Sequence, residues 1–104
     1  MDYGTKQREA ALRLLGTIAP RFSAQMRSVG NPDFGQYAPI SEPETITAHT
    51  LDELVKKARE YRQWWNMGSG NWTNPTACED GEPVGRIMFN GAVRDMDYKS
   101  PWTR

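Results

Sequence analysis

An α+β fold is what this sequence predicts, on three observations. Residues 50–65, TLDELVKKAREYRQWW, combine a helix start signal, one apolar face and a matching charge pattern. Asp80-Gly81 and Asn90-Gly91, both favoured two-residue hairpin turns, bracket a strand candidate at 82–89 and predict a three-stranded antiparallel meander over about residues 76–98. Residues 44–48, ETITA, are short and β-branched and run straight into the helix. The order strand, helix, three strands places the helix across one face of a sheet.

Taken in order, residues 5–18 read as a first helix, with Ala11, Leu12, Leu15 and Ile18 on one side. Gly16 weakens its end, by about 1 kcal/mol relative to alanine in a helix interior. Pro20 stops it or opens a second short helix to about Ser28, in which Phe22 and Met26 continue the apolar side. Residues 30–43, GNPDFGQYAPISEP, read as an irregular connection that Phe34, Tyr37 and Ile40 pack down. The strand at 44–48 is expected to pair at an edge of the meander.

In the central helix, Thr50 and Glu53 form a capping box: the hydroxyl takes the Glu53 amide and the carboxylate reaches back to the Thr50 amide. The helix therefore starts at Leu51. Leu51, Leu54, Val55, Ala58, Tyr61 and Trp65 gather on its apolar side, opposite Asp52, Lys56, Arg59, Glu60 and Gln63. Gly68 and Gly70 are read as its left-handed end. Counting outward from Asn90-Gly91 sets Ile87 opposite Arg94 and Arg86 opposite Asp95. Pro83 belongs at an edge or a strand start, and Gly85 at a bulge or a close backbone approach. The chain reads as one domain, 1–104, with a helical and irregular part at 1–43 and a β-α-β-β-β unit at 44–98.

Thirteen basic and thirteen acidic residues cancel, so the global field attracts neither nucleic acid nor an anionic membrane. One cysteine, Cys78, excludes an internal disulfide framework and points to a cytoplasmic chain with a free thiol. No apolar run reaches the length of a membrane span.

Few residues suggest chemistry. His49 is the one histidine; it reads as a base or metal ligand in a sharp reading and as a polar residue ahead of a helix cap in a plain one, and no second histidine or cysteine pair completes a site. Cys78 has no basic neighbour in sequence and reads as a small buried hydrophobe. Glu79, Asp80 and Glu82 straddle a turn without metal-ligand spacing, and no phosphate loop is present. The expectation is therefore a protein without enzymatic activity, cofactor or metal.

Tryptophan with arginine is the pairing enriched at binding hot spots. Trp65 falls inside the apolar arc and Trp64 at its margin, while Trp72 and Trp102 sit on segments expected to be exposed. Trp64, Trp72 and Asn71 with Arg59, Arg62, Arg86 and Arg94 form the candidate interaction surface for a protein partner. Equally, loops with Trp64 and Trp72 folding over the helix end would extend a thin core. A nucleic-acid reading uses the same basic and aromatic residues, and a further one makes the chain a homodimer through an open edge strand.

From about residue 45 to 95, the run TITAHTLDELVKKAREY, then NW, then DGEPVGRIMFNGAVRD resembles the strand, helix and hairpin unit of small proteins encoded by phages and mobile elements, some of which inhibit host defence as anti-CRISPR and anti-restriction proteins. The resemblance implies action by binding, often by covering a site on a larger complex, and carries over no single functional residue. It makes an inhibitor of a host defence complex such as CRISPR-Cas the expected role.

Overall fold

A computed structural model describes residues 19–102. The helix expected at 5–18 lies outside the described residues. Five strands form one antiparallel sheet: β1 (Phe22–Met26), β2 (Glu44–Ala48), β3 (Thr76–Glu79), β4 (Glu82–Ile87) and β5 (Val93–Arg94). Among the described residues one α-helix, α1 (Leu51–Trp64), follows β2 and packs over β1 and β2. The spatial order is β2-β1-β3-β4-β5. The architecture is a small α+β fold.

The segment expected to be a second short helix is a strand. Phe22, Ala24 and Met26 are buried at a spacing of two, against Ile46 and Ala48 of β2 and Ala77 of β3. Phe22 and Met26 are also four apart, so the same residues satisfy a helical stripe, and only pairing on both sides of β1 selects the strand. The strand at 44–48 consequently joins β1 and not the meander.

Helix α1 begins as its sequence dictates. Thr50 is extended, and its hydroxyl accepts the Glu53 amide at 3.1 Å. The Glu53 carboxylate reaches the His49 amide at 3.4 Å and not that of Thr50. Leu54, Ala58 and Tyr61 are buried; Leu51, Val55 and Trp65 are half-buried on the same side. The helix ends earlier than the glycines suggest. Asn66 takes the left-handed conformation (φ 51°), its amide bonds Gln63 O, and the Met67 amide bonds Arg62 O. That pair of bonds is a Schellman cap.

The first hairpin has the expected two-residue turn, with Asp80 and Gly81 at φ 52° and 85° between the partners Glu79 and Glu82. The second departs from expectation. Gly91 donates to Met88 O and Met88 donates to Ala92 O, so three residues form the loop, with Gly91 (φ 92°) in its left-handed position. Every pairing shifts by one, and Arg86 opposes Arg94 instead of Asp95. Gly85 answers to both readings. The register slips between Ala77 and Cys78 opposite it, and an added Cβ would lie 2.6 Å from Arg94 O.

The core lies between α1 and the inner sheet face, with Met26, Leu54 and Ile87 its largest fully buried side chains. Polar bonds stitch the 28–42 connection onto it. Ser28 Oγ accepts from the Ile40 and Ser41 amides, and the Tyr61 hydroxyl bonds Ser41 Oγ and Glu42 O. Ile40 packs on the core, whereas Phe34 and Tyr37, expected to pack down, are exposed. By strand alternation Ser23, Gln25, Thr45, Thr47, Thr76, Cys78, Arg86 and Arg94 form the opposite sheet face, over which no helix packs among the described residues.

Candidate protein-interaction surface

The two edges of the sheet differ. At β5 the C-terminal residues close the edge: Trp102 donates to Val93 O, Asp95 donates to Ser100 O, and Arg94 bridges Pro101. At β2 no strand follows among the described residues. Which of its backbone groups are free follows from its neighbour. Asp80 donates to Arg21 O at 2.8 Å, turning the backbone of Phe22, Ala24 and Met26 toward β2, where they meet Ala48, Ile46 and Glu44. The N–H and C=O groups of Thr45 and Thr47 therefore point outward.

One of the four is occupied. Lys57 Nζ, reaching down from α1, donates to Thr47 O at 2.6 Å and lies 3.8 Å from the Glu53 carboxylate. Pro43, which has no amide, ends the edge at its start. A lysine and a proline at an edge limit indiscriminate strand pairing. The Thr45 N–H, the Thr45 C=O and the Thr47 N–H remain without a partner among the described residues.

Above this edge stands Trp64, 82 % exposed on the last residue of α1. It helps line an open groove of about 510 Å³ with Glu44, Thr45, Thr47, Glu60 and Tyr61. The sequence explains the placement. Tyr61 turns inward with its ring centre 6.5 Å from that of Trp65, and Trp64, about 60° to the other side of Tyr61 on the helix, is left facing solvent. An exposed tryptophan next to a row of unpaired backbone groups matches the surfaces that bind an extended segment of another chain.

The other candidate residues separate. Arg59 is exposed on α1, against the β4–β5 loop near Gly91. Arg62 lies 4.5 Å over the Phe89 ring and bonds Phe89 O, so it ties the helix to that loop. Trp72, expected to be exposed, is buried at 8 %; its Nε1 donates to Ile87 O at 2.8 Å and its ring meets Phe89 edge-on at 6.1 Å. Asn71 is 5 % exposed, and its amide group donates to Val29 O and Gln36 Oε1 while its side-chain oxygen accepts the Gly68 amide. Both join loops from inside. Arg86 and Arg94 stand on the uncovered sheet face, away from Trp64. Trp102 is half-buried against the core.

Residues that sequence reasoning passes over are Thr45 and Thr47, while Lys57 enters it only as a base of the nucleic-acid reading and as the helical partner of Glu53. Their signal is the exposed edge of β2, which becomes visible only once β1 is a strand. His49 is exposed beside the cap and Cys78 is half-buried and free. No group of three metal-ligating side chains occurs among the described residues, and no helix there is long and apolar enough to cross a membrane. Comparison with family models, with curated proteins and with solved structures finds no match.

Proposed function

We propose that this chain is a non-enzymatic binding domain that holds a protein partner along the open edge of β2, with Trp64 as the anchor. The observation that carries the reading is the coincidence of the outward Thr45 and Thr47 backbone groups with the exposed indole above them. The partner contributes an extended segment that bonds the Thr45 N–H, the Thr45 C=O and the Thr47 N–H, and an apolar side chain that covers Trp64. Lys57 keeps its bond to Thr47 O. The role assigned to this binding is inhibition of a host defence complex by a small phage- or mobile-element protein; that part rests on the resemblance over residues 45–95 alone.

Capture from nuclease-treated lysate of cells that express the protein tests the reading. Trp64→Ala and Thr45→Pro each remove one half of the surface, and proline at Thr45 sacrifices no bond to β1 because that amide faces outward. A stoichiometric protein retained by the parent chain and lost by both variants, with circular dichroism unchanged, is the expected result. A partner that both variants retain refutes the surface. A second copy of this chain as the captured species would make the partner a homodimer.

A further inference from the structure

The sheet face away from α1 collects positive charge with no carboxylate on its strands among the described residues. The acidic residues on strands, Glu44, Glu79 and Glu82, all fall in the register that faces α1. Arg27, Arg86 and Arg94 fall on the other face, and none of the three pairs with a carboxylate among the described residues, where the ion pairs involve Arg21 and Lys57. Arg86 and Arg94 are direct cross-strand partners. Like charges so placed repel each other and destabilise the pair.

Arg86 is also incompletely satisfied. Its Nη1 donates to Thr76 Oγ1 at 2.8 Å and its guanidinium lies 5.6 Å from the Tyr98 ring centre, but its Nε is buried with no acceptor among the described residues. A buried donor left so costs free energy that an incoming acceptor could recover by repositioning the side chain. Gln25, Arg27, Thr76 and Arg86 line a concavity of about 250 Å³ that contains no acidic residue.

We propose that this face binds the phosphates of a single-stranded nucleic acid. Arg27 and Arg86 hold one phosphate in the concavity, and Arg94, one strand further on, holds the next. From β1 through β3 and β4 to β5, at about 4.8 Å per strand, the arginines form a row of roughly 14 Å, which suits a polyanion rather than a single small anion. The fork of an arginine matches phosphate oxygens in pairs, and Thr76 and Gln25 add neutral donors. Tyr98, 44 % exposed beside Arg86, supplies one ring face for a base. The zero net charge of the chain does not oppose this, because the segregation of charge between faces is local. The site is separate from the β2 edge and stands independently of the protein-binding reading.

Fluorescence anisotropy with labelled single-stranded RNA and DNA of about 12 nucleotides, between about 50 and 200 mM salt, tests it. Binding is expected to weaken with salt. Arg27→Gln and Arg94→Gln, each checked for folding by circular dichroism, should each weaken it about tenfold and reduce the salt slope by about 0.7 for each phosphate no longer neutralised. Arg59→Gln, on the helix side, should leave it unchanged. Arg86→Lys, which keeps the charge and loses the fork, should fall between the parent and the glutamine variants. Absence of binding at the lower salt overturns the proposal. So does an equal weakening in Arg59→Gln, or a poly-glutamate peptide binding as tightly as the strands.

Discussion

Trp64 ends α1 and Trp72 lies in the turn-rich segment after it, and their surroundings differ in what each indole can reach. Trp72 enters the core because its N–H finds Ile87 O and its ring meets Phe89; Trp64 has neither partner and stays 82 % exposed. Replacing Trp72 with phenylalanine keeps a ring but leaves the Ile87 carbonyl without its indole donor, so it should cost about 1–3 kcal/mol in urea unfolding. Trp64→Ala should change stability by less than about 0.5 kcal/mol in the same measurement. Equal losses would mean that Trp64 is structural. Gly85 is the third decisive residue: Gly85→Ala drives a Cβ toward the Arg94 carbonyl, and the unfolding midpoint should drop by the equivalent of about 1–3 kcal/mol. The glycine is legible in the sequence as a close approach. Trp72 is not, because a short-range reading of NWTNP gives a loop, and only the neighbouring strand shows that the loop lies over a core.

Among the elements, α1 is readable because its determinants are local. The Thr50 cap and the 3.6-residue apolar period lie within the segment itself, and the buried face is the expected one. Thr50→Ala should cost about 1 kcal/mol, visible as reduced helicity and a lower unfolding midpoint. Its far end departs from expectation because Asn66, not a glycine, takes the left-handed cap. Asn66→Gly is accordingly expected to stabilise the protein by about 1 kcal/mol, and a destabilised variant would show that the asparagine side chain does more than tolerate that conformation. Strand β1 is ambiguous in sequence because its alternation shares residues Phe22 and Met26 with a helical stripe, and the pairings that decide it join residues far apart in the chain. The second hairpin shows how little separates two registers. Asn90-Gly91 suits a two-residue turn, but the observed loop places Gly91 third, and this single step exchanges Asp95 for Arg94 opposite Arg86.

Across the described residues, one helix covers one face of five strands, which leaves two distinct features there: a polar face with arginines, and one open edge. Neither can be drawn from the sequence, since both follow from β1 lying between β2 and β3. The candidate residues Trp64, Arg59, Arg86 and Arg94 are individually legible as binding types, but the fold divides them between opposite sides of the sheet. The proposed partner strand would occupy the β2 edge. Amide hydrogen exchange at Thr45 and Thr47, compared in the free protein and in the captured complex, addresses it most directly. Both amides point outward and should exchange rapidly when the protein is free and become strongly protected when the partner is bound, while the already paired amides of Ile46 and Ala48 change little. Thr45 and Thr47 amides that exchange equally fast with and without the partner would mean that the partner binds elsewhere.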